Sequence, residues 1–530
     1  MPSIERKSID RIKPGDNLVA DAGVFAKAGQ PIDEKTIKLF ARHKVTYVPT
    51  ISLTYEEIDR LKEEQKKDYL LNAIKKLEQR FQNTRIKLIE KVSSLYVPFS
   101  ELDPGFGVKG KKKQLTKNTL LEPEPGPLYQ PDIDAGSEQL ITQNNIRYLQ
   151  ENLTSVYAVL EKLTRRDKET RGSKNRIPRQ LYYSIRLHSY YEGPRISTVG
   201  NAVPWHAVDT ALYFLVTMTN INKKRIVEGL PLSESRFDPD TKTTDNTVYR
   251  YHSEYIVEAA LGILLHGIGY SHDEVHALLS AKPFLDGTDK GTKKRVRILQ
   301  RNINVAKNLL RNRRDISSIS RMMVTMQKEY PDGTGFPPLN ENRFIHEFVR
   351  LFQIIDAYDL MTNPILGRVP YCRQDVIDYL WNHSGEYNYT KEKFVKQKRY
   401  DRNLLKEFLE MLAPYEIGEK VYLYEAGNSS VPRCVGRVFS YFDSFIPLIS
   451  VLKDERTGKS YPYGWLLFYL PGSLAIIMEN GTVKKKSKVD WVGSLRVVDS
   501  LISPGAIDEY RDFLFGNERV LAKRLRGKTG

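Results

Sequence analysis

The chain contains nine histidines, and two of them, His206 and His266, combine with downstream carboxylates into a set of residue types that bind divalent cations. Trp205-His206-Ala207-Val208 opens an apolar helical pattern. The run Ala259-Ala260-Leu261-Gly262-Ile263-Leu264-Leu265 leads straight into His266-Gly267-Ile268-Gly269-Tyr270, which puts an imidazole at the end of a buried segment. Downstream, Val349–Asp359 carries Asp356 and Asp359 three residues apart, on one face of a helix. Imidazole and carboxylate together suit a transition metal. Two readings of His206 and His266 stand side by side: a single-metal site shared with Asp356, or core histidines hydrogen-bonded to Asp356. A separate group, His272-Asp273 with His276 four residues on, has metal-ligand spacing on a helix and is the place to which such a site could have moved. His43, His188, His252, His346 and His383 read as solvated side chains.

Between the second and third of these elements stands Asp332-Gly333-Thr334-Gly335-Phe336-Pro337. Alone it would be a Gly-rich turn, but its order relative to the helices is specific. A helix with His206, an apolar helix ending in His266-Gly267-Ile268-Gly269, a long connection, this loop and then Asp356-x-x-Asp359 before Thr362 resembles the HD-GYP branch of the HD-domain phosphohydrolases. That family usually has Asp-Gly-Thr-Gly-Tyr-Pro, so only Phe336 differs. The similarity covers 200–412. Ile12-Lys13-Pro14-Gly15 with Leu18 and Asp21, and Tyr415-Glu416-Ile417-Gly418 with Val421, resemble modules attached to such proteins.

The resemblance implies hydrolysis of cyclic di-GMP or a related cyclic dinucleotide by two or three metal ions in a helical bundle, where the ions activate a bridging water. His206, His266 and Asp356 match ligand positions of that family, here vestigial. Much of the remaining set is substituted. Gly267 replaces the bridging Asp, Tyr270 the Lys that follows it, Asn302 a His, and Gln327-Lys328-Glu329 the His-His-Glu before the loop. What survives cannot complete two coordination spheres, so the expected cofactor is none, or one divalent transition metal (Fe, Mn or Zn). Lys328 would stand in for a cation's charge, and with Arg350 it is a candidate phosphate-binding residue.

The implied function is that of a degenerate HD-GYP-like binder or scaffold in bacterial cyclic-dinucleotide signalling, with signalling proteins as partners. An active metal-dependent phosphohydrolase with an altered ligand set is the first alternative. A nucleic-acid-binding protein is the second; it rests on Lys+Arg 82 against Asp+Glu 65, a formal net charge of +17, and is disfavoured because no aromatic-basic RNA pattern occurs. P-loop, nucleophile-elbow and Rossmann signatures do not stand out.

The expected fold class is mainly α: an HD-type helical bundle with a small N-terminal α/β module, a long helix and a C-terminal β-rich module. Residues 1–53 alternate short apolar runs with turns around a helical pattern at Asp33–His43. Residues 54–97 predict one long helix. Leu70, Ile74, Leu77, Phe81, Leu88 and Leu95 form a near-heptad seam across 55–95 that suits either a homodimeric coiled coil or packing on the chain itself. Residues 98–136 read as a basic Pro/Gly linker, 137–199 as a helical connector and 200–412 as the HD-GYP-like domain. Residues 413–500 are β-rich, with Trp465–Met478 read as two strands broken at Pro471-Gly472, and 501–530 hold a terminal helix and tail. With 40% hydrophobic residues the chain can build large cores, and two cysteines exclude a disulfide scaffold. No membrane-spanning run and no leader at the polar N-terminus are read, so a cytoplasmic setting is expected.

Overall fold

The computed structural model describes residues 5–8, 17–18, 32–42, 47–51, 76–77, 79–98, 141–166, 199–228, 251–280, 289–336, 345–363, 371, 373–388, 393–394, 398–412, 414–415, 420–425, 434–442, 446–454, 458, 465–470, 474–479, 482–484 and 495–499. The linker at 99–136, the first half of the long helix at 55–75, the terminal helix after 500, and His43, His188 and Pro337 lie outside the described residues. Among those described the fold is mainly α. The chain divides into two compact units, Met1–Arg80 and Phe81–Gly530.

In the first unit, strands β1 (Glu5–Ser8), β2 (Asn17–Leu18) and β3 (Tyr47–Ile51) form an antiparallel sheet in the order β1-β3-β2. Helix α1 (Glu34–Arg42) begins where Asp33 accepts the Thr36 amide at 2.7 Å, satisfying a first-turn donor that the helix itself cannot.

The second unit begins with helix α2 (81–93), followed by α3 (Gln143–Arg166), α4 (Val199–Glu228), α5 (Ser253–Leu265), a short 3-10 turn (Ile268–Ser271) and α6 (Asp273–Ser280). Then come α7 (Asp289–Leu310), α8 (Ser318–Thr325), α9 (Glu347–Thr362), α10 (Arg373–Asn382) and α11 (Arg402–Leu412). Three of them, α4, α5 and α9, are buried on all sides over much of their length. Ala207 to Ile221 of α4, Ala259 to Leu265 of α5 and Phe348 to Asp356 of α9 are buried, as expected of helices at the centre of a bundle. Each fully buried Leu or Phe there contributes roughly 1.5–3 kcal/mol relative to exposure. Helix α4 packs against α5 and α9, α8 covers α5, and α11 closes over α4 and α9. These three central helices carry His206, His266 and Asp356.

In α2 and the turn that follows it, the seam residues Phe81, Leu88 and Leu95 are buried within this unit. That half of the seam packs on its own chain and is not available to a second copy. Arg85 on the same helix forms a two-bond ion pair with Asp209 of α4, Nε to Oδ1 at 2.8 Å and Nη2 to Oδ2 at 3.0 Å. Its guanidinium also lies 4.8 Å from the centre of the Trp205 ring.

Short strand pairs follow α10: β4 (Ser384–Gly385) with β7 (Tyr400–Asp401), and β5 (Tyr387–Asn388) with β6 (Lys393–Phe394). Beyond α11, strands β8 (Lys420–Glu425), β9 (Cys434–Phe442), β10 (Ile446–Asp454), β11 (Trp465–Leu470), β12 (Leu474–Glu479), β13 (Thr482–Lys484) and β14 (Leu495–Asp499) build one sheet. Its order is β13-β12-β11-β10-β9-β8-β14, antiparallel throughout. The apolar stretch at 465–479 is a hairpin, with Trp465 opposite Glu479 and Leu470 opposite Leu474. No helix among the described residues is long and apolar enough to cross a membrane.

Candidate functional site

Helix α4 presents His206 two turns from its start, α5 ends on His266, and α9 supplies Asp356 and Asp359 from its last two turns. His206 is held at both ring nitrogens: Nδ1 donates to Asp359 Oδ2 at 2.7 Å and Nε2 to Asp356 Oδ1 at 3.2 Å. Burial opposes its charge, but the two carboxylates outweigh it and hold its pKa up at about 9. His266 is the opposite case. Its Nδ1 donates to the Ile263 carbonyl at 2.6 Å, and its Nε2 faces Asp356 Oδ1 at 3.9 Å. Burial, then the nearby His206 cation, push its pKa down to about 3, so the ring is neutral and Nε2 keeps its lone pair. The two rings meet edge to face with centroids 5.1 Å apart.

The other oxygen of Asp356, Oδ2, is ion-paired with Lys328 Nζ. Burial alone would raise the Asp356 pKa, but Lys328 and His206 hold it well below the usual carboxylate range. Lys328 is in turn held above its ordinary value by Asp356, against the effect of burial. Asp359 takes an Asn363 Nδ2 hydrogen bond at 2.6 Å on Oδ1; burial pushes its pKa up to about 6, with His206 pulling the other way. At neutral pH the cluster balances His206 and Lys328 against Asp356 and Asp359.

The substituted positions Gly267, Asn302 and Gln327 have structural uses. Asn302 Nδ2 and Gln327 Nε2 both donate to the His266 carbonyl, at 3.1 and 2.8 Å. Gly267 sits under Tyr96: a β-carbon there would lie 3.0 Å from Tyr96 Cε1, 3.0 Å from Val203 Cγ1 and 3.1 Å from Tyr270 Cδ2. The Tyr96 hydroxyl accepts the Gly267 amide at 3.2 Å and donates to the Leu264 carbonyl at 2.7 Å. Burial pushes the Tyr270 hydroxyl up to about 12, with the Lys328 charge opposing.

The loop at 332–336 is a clamp on the peptide that carries Lys328. Asp332 Oδ1 accepts the Thr334 amide at 3.0 Å and the Thr334 hydroxyl at 2.6 Å, closing an Asx turn. Gly333 has φ +70°, which favours glycine. Phe336 N donates to the Lys328 carbonyl at 2.7 Å, and a β-carbon at Gly335 would overlap that same oxygen. Arg399 holds the turn from outside, donating to Thr334 Oγ1 at 3.0 Å.

No family model, curated protein or solved structure matches this chain.

A three-ligand metal site has neighbouring donor atoms roughly 3.3 Å apart when its bonds are about 2.0–2.1 Å. Here Asp356 Oδ1 lies 3.2 Å from His206 Nε2 and 3.9 Å from His266 Nε2, and one ligand atom from each of the three residues lies within 4.8 Å of the others. Both imidazoles are oriented by an oxygen acceptor at Nδ1, as metal-ligating histidines are. The three side chains therefore fit one ion, which when bound would polarise a phosphoryl oxygen and acidify a water. They do not fit two, because Gly267 offers no ligand and the Asn302 and Gln327 amides are turned onto a backbone carbonyl.

Several expectations are corrected. Lys328 is not directed at an open anion site but at Asp356, with 12% of its side chain exposed. Arg350 is 1% exposed; its Nε pairs with Asp401 Oδ2 at 3.1 Å and its Nη1 donates to the Ile345 carbonyl, so a phosphate cannot reach it without breaking the core. His272, Asp273 and His276 do not assemble; among the described residues the one metal-compatible group is His206, His266 and Asp356. His346 is no solvated side chain: it is buried and caps α9, its Nδ1 accepting the Phe348 amide at 3.1 Å. Two surface hollows among the described residues, one at the start of α3 and one beside Tyr251 and Phe348, share no lining residue with the cluster.

Sequence reasoning missed Tyr96 and Arg85 as parts of the site's frame, and left Asp359 without a role. The spacing of Asp356 and Asp359 was the available signal for the last. No local pattern announces the other two.

Proposed function

We propose that this chain is a degenerate HD-GYP-like protein that serves bacterial cyclic-dinucleotide signalling as a binder or scaffold, with little or no hydrolysis of its own. One observation carries the reading: the Asp356 carboxylate is already satisfied by His206 on one oxygen and Lys328 on the other. A hydrolytic centre needs that carboxylate for ions that activate water. Here the surrounding substitutions serve the fold instead. The scaffold half of the proposal has the stronger support, since the two cations expected from the sequence to meet a phosphate, Lys328 and Arg350, are committed to carboxylates. Signalling proteins are the partners this implies, and the full HD-GYP assignment belongs to the same proposal.

The hydrolase reading keeps one observation in its favour, the convergence of two imidazole Nε2 atoms on Asp356. Incubating the full chain with cyclic di-GMP and Mn(II), alongside titration calorimetry with the same nucleotide, separates the two. Binding or inertness without product supports the proposal, and sustained turnover refutes it.

A further inference from the structure

Asp356 is bracketed. Imidazoles stand at Oδ1, an ammonium at Oδ2, and the carboxylate is 2% exposed. The ammonium is not an incidental surface contact. Its backbone is fixed by Phe336 N on the Lys328 carbonyl and by the close approach of Gly335, so the Asp332–Phe336 loop sets where this side chain starts. A dication here would add to the charge of the Lys328 ammonium already seated on Asp356, in a site with little exposure to water to spread the excess. The ammonium and a metal ion are therefore competitors for one carboxylate.

We propose that the Lys328 ammonium is the resident cation of this centre, seated in place of a divalent ion, and that removing it turns His206, His266 and Asp356 into a one-ion transition-metal site. The inference deepens the degenerate-centre reading and rests on it. It goes further by assigning the loss of metal to one side chain and leaving the rest of the three-ligand set competent. The competence is geometric: both rings are already oriented at Nδ1, and the donor atoms, all within 4.8 Å of one another, need to close by about 1.5 Å at most to reach metal-site spacing. Gly267, Asn302 and Gln327 would remain as they are, so a second ion gains nothing.

The test is a ZnCl2 titration by calorimetry, with thermal unfolding in the presence and absence of zinc, on the untagged full chain and three variants. The wild type is expected to take up zinc weakly. Lys328→Met is expected to bind one ion at least about 100-fold more tightly and to melt higher with zinc than without. Lys328→Arg, which keeps the charge, should stay as zinc-poor as the wild type, and Lys328→Met/His266→Ala should lose the gain. If Lys328→Met folds only when zinc is added, that rescue supports the proposal; if it stays unfolded with zinc, the ion cannot replace the ammonium and the proposal fails. Equal zinc affinity in wild type and Lys328→Met also overturns it, as does a gain that survives His266→Ala or is matched by Lys328→Arg. Cyclic di-GMP turnover by the wild type would sink the functional proposal independently of this outcome.

Discussion

Lys328 and Asp356, 28 residues apart in the chain, form an ion pair inside the helical bundle, and the same carboxylate accepts a hydrogen bond from His206 at 3.2 Å. The pair joins the clamped loop to α9, the helix that also carries Asp359. A carboxylate placed between an imidazolium and an ammonium needs no metal to be stable there.

Asn302 and Gln327 share one acceptor, the His266 carbonyl. Either amide alone still satisfies that buried oxygen, so Asn302→Ala or Gln327→Ala should each cost about 1 kcal/mol beyond the loss of packing. The double substitution orphans the carbonyl and should cost more than the sum of the single ones. Urea denaturation of the four proteins measures the coupling, and strict additivity would show that the amides act independently.

Gly267 has little room for a side chain. Gly267→Ala should destabilise by roughly 1–3 kcal/mol, because a β-carbon crowds Tyr96 and Val203 at 3.0 Å. Gly267→Asp should do the same without conferring turnover, since Asn302, Gln327 and Lys328 hold other groups. Thermal unfolding and a phosphodiesterase assay read both halves, and a stable, active Gly267→Asp protein would refute them.

Arg85 ties α2 to α4 one turn from His206 through a buried two-bond pair with Asp209. Arg85→Ala leaves Asp209 buried without its guanidinium and should cost about 3–5 kcal/mol. Arg85→Met combined with Asp209→Leu should cost far less, because neither charge is left behind. Chemical denaturation distinguishes the two, and equal losses would mean that packing, not the orphaned charge, sets the cost.

The convergence of His206, His266 and Asp356 was legible because each sits on or beside an apolar helix whose burial can be read from periodicity. The hairpin at 465–479 was legible because Pro471-Gly472 interrupts its apolar run. Lys328 and Arg350 were misjudged for a shared reason. A cation in a sequence carries no sign of its partner, and Asp356 and Asp401 lie 28 and 51 residues away. Tyr96 was invisible for the same cause, its hydroxyl closing on the Leu264 carbonyl 168 residues on. His346 escaped notice because histidine is not among the preferred N-cap residues, and only the Phe348 amide reveals its role.

The histidines predict a stability maximum near neutrality. Burial first, then positive neighbours, hold His266 and His346 down to about 3. Their contribution is full above an unfolded pKa of about 6.5 and is lost as pH falls from there toward 3. His206, held up at about 9, contributes fully below about 6.5 and loses its contribution as pH rises through 9, on the order of 3 kcal/mol in all. Urea midpoints at pH 5, 7 and 9.5 should rise and then fall. His206→Gln should flatten the alkaline limb, and an unchanged limb would remove His206 as its cause.

The most direct measurement is the elemental metal content of the full chain purified without chelators, taken together with cyclic di-GMP turnover on the same preparation. With Lys328 seated on Asp356 and Gly267, Asn302 and Gln327 unable to ligate, the expected result is less than one tightly bound transition ion per chain and no linear or mononucleotide product. Two or more tightly bound ions per chain with metal-dependent hydrolysis would contradict the account.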